Sequence, residues 1–355
     1  MSSSISRFSF KFNTSIEQVS QKIWDRFSKK HCPFCQYSFL HALESSASIG
    51  GNSGWQPFHL VIYKHSEPVG VLPLYKKSHS YGEYVFDFAW ANAYQQHGLE
   101  YYPKLIAAIP FTPVTGARLM LDDSVEQSEL IPILCQEMSK QLDRLKLSSI
   151  HWLFVEPETS EKLNAQQHIQ RLSVQFQWFN RHYSSFDDYL SHFNSRKRKS
   201  VKKERLKVAD QGVAVERIHG NKIIEENMDF FYHCYKQTYL KRSGHKGYLT
   251  HAFFQQIFNT MPENLMLVIA YKETQAIASA LFVFDQHQLC GRYWGALQDV
   301  PSLHFECCYY QGIEFCIEQN IGLFNPGTQG EHKILRGFEP IYCYSNHSLK
   351  ELVFH

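Results

Sequence analysis

The residues best suited to chemistry in this 355-residue chain are concentrated between Gly291 and Phe338. A buried core cannot hold many polar groups without partners, because each unpaired polar group costs free energy when it leaves water. This stretch therefore indicates the wall of a cleft. Its candidate site residues are Arg292, Trp294, His304, Glu306, Gln329, Glu331, His332, Lys333 and Arg336.

Two neighbouring side chains, Glu331 and His332, are candidates for a general base. They lie in a glycine-flanked loop after a predicted strand, where side chains can reach into a cleft. A carboxylate or an imidazole needs only a modest pKa shift to accept a proton near neutral pH. Lys333 and Arg336 suit the binding of a carboxylate or phosphate. A hydrophilic surface turn is the alternative, but Phe338 directly afterwards indicates an anchored loop.

His304 and Glu306 open a predicted helix, His304–Gln319, with Ser302 as its N-cap. Both are candidate catalytic residues, although an acidic first-turn residue also stabilises the helix dipole without any reaction. The spacing of these imidazoles and carboxylates matches no zinc site, so no metal is predicted.

Arg292 and Trp294 alternate along a predicted strand and therefore face the same side of it. If that side is the cleft, Trp294 can stack on a ligand and Arg292 can pair with its anion. If that side is the core, Trp294 only packs there. Gln329 adds an amide to the same predicted substrate site.

The first half of the chain carries an aromatic and acidic segment followed by a proline-rich turn. It predicts a second substrate-binding wall, although aromatic residues on an edge strand would look the same. The candidate residues are Tyr81, Glu83, Asp87, Trp90 and Arg118.

A strongly basic run extends from Arg196 to Lys207 inside a predicted helix, 186–208. The helical period places Arg196, Lys199, Lys203 and Lys207 on one face. A solvated surface is one interpretation. The other is a phosphate-binding surface, for a nucleic acid or a pyrophosphate group. The predicted phosphate-binding residues are Arg196, Lys197, Arg198 and Lys199.

Two segments about two hundred residues apart repeat one order of elements. His59–Lys76 and Leu265–Asp285 each predict a hairpin, and Tyr63 aligns with Tyr271 without a gap. This order predicts two copies of one α/β unit. Each hairpin precedes a helix and a short strand: Val125–Leu145 with Ser149–Val155, and His304–Gln319 with Gly322–Asn325.

Composition narrows the class of protein. The net charge is only +2, so any anion-binding surface must be local. Nine scattered cysteines form no disulfide framework, and neither a signal peptide nor an apolar run of about 18 residues is evident, so we expect a cytoplasmic protein. Cys32 and Cys35 form a CxxC pair, but the elements around it fit neither a redox nor a zinc site.

These residues resemble the FemAB-like N-acyltransferases, a branch of the GNAT superfamily with two tandem GNAT domains. The resemblance spans nearly the whole chain. Its motifs are Phe39–Glu44, Gly54–Pro57, Ser80–Asp87, Pro110–Arg118, Gln177–Asn180, Lys197–Lys199 with Glu204–Arg205, Gly291–Gly295, Leu303–Glu306, Gly327–Lys333 and Arg336–Phe338.

The resemblance implies an α/β (α+β) fold of two GNAT-like domains, residues 1–170 and 171–355, with mixed sheets flanked by helices. The basic helix 195–208 and the active cleft would belong to the second domain, and the first-half wall would bind the acceptor. The implied reaction is direct transfer of an acyl or aminoacyl group to an amine, for example on a cell-wall precursor. The alternative is a degenerate, non-catalytic pair of GNAT domains that binds a cell-wall or lipid-linked ligand.

The resemblance implies no permanently bound cofactor, and acyl-CoA or aminoacyl-tRNA as the co-substrate. A plain GNAT grips the CoA pyrophosphate with a glycine-patterned loop before a helix. The corresponding loop here, Gly295–His304, lacks that pattern. This difference favours an aminoacyl-tRNA donor over acyl-CoA.

Overall fold

The computed structural model describes residues 7–328 and 330–351. It divides into two compact units: Met1–Ser173 with Tyr342–His355, and Val174–Ile341. Residues 342–351 thus group with the first unit, whereas the predicted division at residue 170 assigned them to the second domain. In the described part of the chain, no helix has both the length and the apolar character of a membrane span.

The strands are β1 (Phe8–Asn13), β2 (Trp55–Pro57), β3 (His59–Lys64), β4 (Glu67–Leu72), β5 (Leu74–Lys77), β6 (Lys104–Ala107), β7 (Met120–Leu121), β8 (Ser149–Val155), β9 (Ile169–Phe179), β10 (Val213–His219), β11 (Leu265–Lys272), β12 (Gln275–Phe284), β13 (Gln288–Ala296), β14 (Leu323–Asn325) and β15 (Glu339–Leu349).

The helices are α1 (Gln21–Ser28), α2 (Tyr37–Ser45), α3 (Phe88–Gln96), α4 (Gln127–Leu145), α5 (Pro157–Ala165), α6 (Phe186–Ser191), α7 (Ser195–Ala209), α8 (Glu225–Ser243), α9 (His251–Thr260), α10 (Leu303–Phe305) and α11 (Gln311–Glu318). A π-helical turn, Glu306–Tyr310, joins α10 to α11, and a 3-10 turn spans Glu331–Arg336.

The first unit contains two groups of paired strands. One follows the order β1-β3-β4-β7 and is antiparallel throughout. The other contains β2-β5-β6-β8-β15, in which β6 and β8 run parallel. Apolar residues of α4, including Leu130, Leu134 and Met138, pack in one core with Ile150 and Trp152 of β8.

The second unit follows the strand order β10-β11-β12-β13-β14-β9, in which β13 and β14 run parallel. The parallel pair is joined only from Gln288 to Cys290, opposite Leu323 to Asn325. From Gly291 onward β13 continues beyond the end of β14. The strands therefore separate at this point and leave an opening. The helical segment α10–α11 connects the two strands, so its first turn and the C-terminal half of β13 lie near that opening.

The predicted repeat is visible in the hairpin registers. Lys64 pairs with Glu67 in β3–β4, and Lys272 pairs with Gln275 in β11–β12. Both hairpins then shift register at the aligned tyrosine, Tyr63 or Tyr271. A β-bulge at the same aligned position is a shared structural feature, because bulges re-aim one strand and are retained within families.

Two local expectations were wrong. The helix predicted over 186–208 is interrupted between α6 and α7, because Asn194 caps α7 by accepting a hydrogen bond from the Lys197 amide. Ser302 does not cap the segment that begins at Leu303. Its φ is +71° and its side chain makes no capping bond there.

Candidate active site

The opening beyond the β13–β14 pairing is the candidate site. Arg292 occupies a register shift in β13, where Leu281 pairs with Tyr293 and Phe282 pairs with Gly291. This bulge sits where the pairing with β14 ends. A Cβ on Gly291 would lie 3.5 Å from the Cα of Pro326, so the chain leaving β14 passes close to β13 here.

The loop that follows β14 depends on glycine at two positions. Gly330 has a φ of +106°, and Gly337 has a φ of +82°, both in the region that favours glycine. A Cβ on Gly337 would also lie 2.0 Å from the hydroxyl oxygen of Tyr189. The turn between them carries the predicted residues from Glu331 to Arg336. Gln329, also predicted, lies outside the described residues.

Aromatic rings connect the predicted residues of β13, α10 and the loop. The ring of Trp294 lies 5.6 Å from that of His304, which lies 5.2 Å from the ring of Tyr309. The ring of Tyr309 lies 5.8 Å from that of His332. Phe305 is 5.7 Å from His332. The fold therefore brings Trp294, His304 and His332 into one aromatic group.

His332 is held in place, whereas Glu331 is not. The hydroxyl of Tyr309 lies 2.9 Å from the Nε2 of His332, and the imidazole is exposed. Although the residue is exposed overall, partial desolvation of its ring and the charges of the neighbouring Arg336 and Lys333 lower the pKa of His332, so the ring is mainly neutral at neutral pH. Glu331 is exposed and makes no hydrogen bond or ion pair with any residue the structure describes.

His304 is more deeply placed. Burial, and next the charges of His332 and Arg242, lower the pKa of His304 to about 4. The imidazole is therefore neutral across the physiological range and can act as a hydrogen-bonding group. It cannot serve as a cation for substrate phosphate.

Lys333 is a buried ammonium in an unfavourable environment. It is 1% exposed and donates a 2.6 Å hydrogen bond from Nζ to the carbonyl of Gly327. Burial lowers its pKa to about 8. Within the described residues this ammonium donates to one carbonyl, so it retains donors for a further acceptor. Gly327 lies beside Gly291, with a built Cβ 3.6 Å from the Gly291 carbonyl, so this amine lies at the strand opening.

Arg336 fixes the loop to α7. Its guanidinium makes a bidentate ion pair with Glu204, at 3.0 and 2.6 Å, and donates to the carbonyl of His332 at 2.7 Å. The guanidinium carbon lies 3.5 Å from the ring centre of Phe305. Tyr310 donates its hydroxyl proton to the same Glu204 carboxylate. These contacts attach the Glu331–Arg336 turn to α7.

Glu306 is turned away from this group. Its carboxylate accepts two hydrogen bonds from Arg205, at 3.0 and 2.9 Å, and one from Gln311 at 2.8 Å. Arg205 also pairs with Glu314 at 2.6 Å. These residues border a pocket of about 560 Å³, which is also lined by apolar side chains such as Leu190 and Val213 and by the charged Asp187 and Lys202. Glu306 is the one predicted site residue that lines it.

The partners on α7 and α10–α11 were not predicted as site residues. Glu204 and Arg205 stand inside the basic run, where composition draws attention to its exposed cations. The helical period does carry a signal, since both residues fall outside the face of Arg196, Lys199 and Lys203.

The predicted basic face is exposed. Arg196, Lys199, Lys203 and Lys207 form no ion pair within the described ranges. Arg198 donates to the carbonyl of Ser191 at 3.4 Å. Lys197 lies 4.1 Å from the ring centre of Phe193, and burial lowers its pKa. The four-cation face is available to phosphate, and Lys197 and Arg198 are only partly so.

In the first unit, Glu83 and Asp87 point inward to Lys104. The Lys104 ammonium donates to Glu83 at 2.9 Å, to Ser80 at 2.8 Å, and to Asp87. Burial raises the pKa of Glu83 to about 7. Burial also raises the pKa of Asp87, but the Lys104 charge and the hydrogen bonds to Lys104 and Tyr101 outweigh it and lower that pKa overall. The two carboxyl groups therefore differ in protonation near pH 7.

A buried chain of polar groups continues from Asp87. The Tyr101 hydroxyl donates to Asp87 at 2.7 Å and lies 3.3 Å from Nε2 of His151. The Nδ1 atoms of His151 and His347 are 2.6 Å apart. Burial lowers the pKa of both imidazoles well below the ordinary value, so both are neutral and one donates to the other. This row of hydrogen-bonded side chains was not predicted from the sequence, because its members are scattered between Asp87 and His347.

The other first-half candidates differ in exposure. Tyr81 is exposed, and its carbonyl accepts a hydrogen bond from Lys77 at 3.1 Å. Trp90 is partly buried, 4.8 Å from the ring of His347. Arg118 is buried and donates to the backbone carbonyls of residues 114, 116, 117 and 153 at 2.6 to 3.4 Å. Its contacts hold the proline-rich turn.

Solved structures show which fold this is. A crystal structure of FemX matches with a TM-score of 0.57 at 13% identity, covering 92% of this chain and 96% of that one. A conserved protein of unknown function from Bacteroides thetaiotaomicron matches with a TM-score of 0.57 at 11% identity, covering 97% and 100%. L-PGS from Bacillus licheniformis matches with a TM-score of 0.52 at 10% identity, covering 89% and 93%.

Identities this low establish the fold alone, and they confirm the predicted α/β class. No curated protein sequence matches the chain. The profile of the FemAB-like family, described as peptidoglycan biosynthesis/recognition, matches residues 15–355. Because that match covers nearly all of the sequence, the chain belongs to the FemAB-like family.

Proposed function

We propose that this protein is an N-acyltransferase that passes an acyl or aminoacyl group to an amine of a peptidoglycan precursor. The observation that supports it most is the loop Glu331–Arg336. It places a neutral imidazole, His332, and a buried ammonium, Lys333, on one turn that Arg336 anchors to Glu204. The turn lies at the opening between β13 and β14.

The proposed reaction is direct attack of the acceptor amine on the activated carbonyl. The new C–N bond forms as the ester bond to the tRNA ribose, or the thioester bond to CoA, breaks, and the leaving oxygen or sulfur takes up the proton that the amine loses. His332 accepts the proton that the acceptor's ammonium group must lose. Tyr309 holds the His332 ring in position, with its hydroxyl 2.9 Å from Nε2. Lys333 stabilises the negative charge that develops on the carbonyl oxygen. No enzyme nucleophile is needed. Burial raises the pKa of the Cys307 and Cys308 thiols, so both stay protonated and are poor nucleophiles.

Two aromatic residues of the first unit are proposed for the acceptor. Tyr81 is exposed and Trp90 partly so, and both can pack against a ligand. Glu83 is buried against the Lys104 ammonium and therefore supports this wall from inside. Asp87 and Arg118 support this wall through internal contacts.

The first prediction separates the two candidate bases. We expect His332→Ala to lower the rate constant of the transfer step by about 10² to 10⁴, the usual contribution of a general base. Glu331→Gln is the matched comparison, because Glu331 is adjacent, exposed and lacks a partner in the described structure. The measurement is single-turnover transfer from charged tRNA to a muropeptide precursor with a free amine. If the larger loss moves to Glu331→Gln, the assignment of His332 is wrong.

The same pair of variants tests the reaction itself. A non-catalytic binding protein would retain muropeptide binding in wild type and both variants without any turnover. If wild type binds a muropeptide but transfers nothing from either charged tRNA or acetyl-CoA, the proposed reaction is refuted.

The second prediction concerns the donor. We propose aminoacyl-tRNA, with phosphates bound by the face of Arg196, Lys199, Lys203 and Lys207. Affinity for charged tRNA should fall steeply with salt, and Lys199→Gln with Lys203→Gln should reduce the slope of log affinity against log salt by about 0.7 to 0.9 per lost contact. Lys222→Gln, an exposed lysine on another element, is the control.

A different outcome would identify the other donor class. The donor is acyl-CoA if acetyl-CoA or CoA raises the melting temperature of the protein while aminoacylated tRNA binds no better than DNA of equal length. The proposed role of the basic face would then be wrong, while the assignment of His332 would stand.

A further inference from the structure

An uncharged aromatic surface lies on the first unit, from the loop after β5 into α3. Between Tyr84 and Leu99 the only acidic or cationic residue is Asp87, in a chain of which 20% is charged. Asp87 is 2% exposed, whereas Phe86 is 71%, Phe88 52% and Tyr84 37% exposed. The rings of Phe86 and Phe88 are stacked, 6.0 Å apart at 24°. We call Tyr84, Phe86 and Phe88 the aromatic patch.

The outward position of these rings is fixed by contacts beneath them. Glu83 and Asp87, which lie next to these aromatic residues in the sequence, both bind the buried Lys104 ammonium. Arg171 donates a 3.0 Å hydrogen bond to the carbonyl of Phe86. The loop therefore turns its acids inward and its aromatics outward, which reverses the usual preference of a water-exposed loop.

The size of the patch is informative. With about 150–250 Å² for each aromatic side chain, the three exposed fractions sum to roughly 300 Å². Exposed apolar patches of this size on monomers are often functional. A protein partner of standard size covers about 800 Å² on each side, which is more than twice this area. Binding to a lipid surface does not require an interface of that area, since single side chains can enter the lipid layer.

The charge beside the patch is positive. Arg171 is exposed, lies 5.0 Å from the ring centre of Trp90, and forms no ion pair with the residues described. Aromatic rings at the depth of lipid headgroups, with an adjacent arginine that reaches lipid phosphate, are typical of peripheral membrane binding. Because the aromatic patch carries no exposed charge, its insertion into the headgroup region buries no charged group.

We propose that the aromatic patch docks this protein on the surface of an anionic phospholipid membrane. Phe86 and Phe88 enter the headgroup region, and Arg171 pairs with a lipid phosphate. The proposal does not depend on the transfer reaction, because none of these three residues is assigned to it.

Vesicle flotation of the full chain tests this directly. One set of vesicles is phosphatidylcholine alone, and the other contains equal parts of phosphatidylcholine and phosphatidylglycerol. We expect wild type to float with the mixed vesicles, and Phe86→Ser with Phe88→Ser to lower its partition roughly tenfold or more, given what burying one phenylalanine contributes. Arg171→Gln should weaken binding to the mixed vesicles only.

The control is Tyr342→Ser, an aromatic side chain of the same unit that is 63% exposed and should leave flotation unchanged. A measurement without variants is hydrogen exchange of wild type, where amides of residues 84–90 should be slowed by the mixed vesicles.

Three results would overturn the proposal. Wild type could remain unbound to both kinds of vesicle. The double variant could float like wild type, with binding lost instead in Lys199→Gln and Lys203→Gln. Light scattering without vesicles could show a dimer that the double variant dissociates, which would make a second copy the partner of the patch.

Discussion

Replacing Lys333 by methionine is expected to stabilise the folded protein and to lower its activity strongly. The ammonium is buried beside one carbonyl, so its charge is retained at a cost to stability. A pKa of about 8 in the folded state, against about 10.4 in an unfolded chain, corresponds to roughly 3 kcal/mol. Methionine has a similar shape and no charge, so this penalty disappears. We expect transfer to fall by about 10² to 10³, as when one oxyanion donor is removed.

The stabilisation should depend on pH in a defined direction. Below pH 8 the lysine is protonated in both states, so the full penalty is present. Between pH 8 and about 10.4 the folded state releases the proton while the unfolded state retains it, and wild-type stability therefore rises with pH. Lys333→Met should lack that rise. Urea unfolding at pH 7, 9 and 10.5 measures it.

Lys333→Arg is the companion variant, because it retains a positive charge that cannot be released. It should be less stable than wild type and show no pH-dependent gain. If Lys333→Met is instead less stable than wild type at pH 7, the ammonium already has a stabilising partner. The proposal that Lys333 stabilises the oxyanion would then be wrong.

Removing Arg336 should have the largest effect on folding. Arg336→Ala leaves the Glu204 carboxylate, which also binds Tyr310, without its bidentate partner. Breaking a largely buried ion pair from one side costs about 3–5 kcal/mol. The measurement is the free energy of unfolding in urea, with hydrogen exchange of residues 331–337 to locate the loosened region.

Arg181→Ala is the matched control in the same unit. Arg181 pairs with Glu339 at 2.6 Å, but both side chains are well exposed. Such a pair contributes about 0–1 kcal/mol. Equal losses in the two variants would contradict the role given to Arg336. Glu204→Gln should lower stability less than Arg336→Ala if the neutral amide still accepts one hydrogen bond.

The elements around the site were accessible from sequence because their signals are local. The strand predicted over 149–155 matches β8 at both ends, and the helix predicted from Val125 begins two residues later, at Gln127. Alternation and helical period decide such elements within a dozen residues. The matched registers of the two hairpins also followed from a local alignment at Tyr63 and Tyr271.

The partners within the site were not accessible, because they depend on long-range contacts. Arg336 was expected to bind substrate, but its guanidinium forms an ion pair with Glu204, which lies 132 positions earlier in the sequence. Glu83 and Asp87 looked like part of an open wall, yet Lys104 draws both inward. Charge type is visible in a sequence, whereas the identity of the neutralising partner depends on the fold.

The π-helical turn at Glu306–Tyr310 has a consequence for comparing this chain with its relatives. The Gln311 amide donates to the carbonyl of Glu306, five positions earlier, so the turn contains one residue more than an α-helical turn. Every side chain after it is rotated by about 100° relative to an unbroken helix. Homologues without this insertion will carry one residue fewer here, and an ungapped alignment will assign Glu314 to the wrong face.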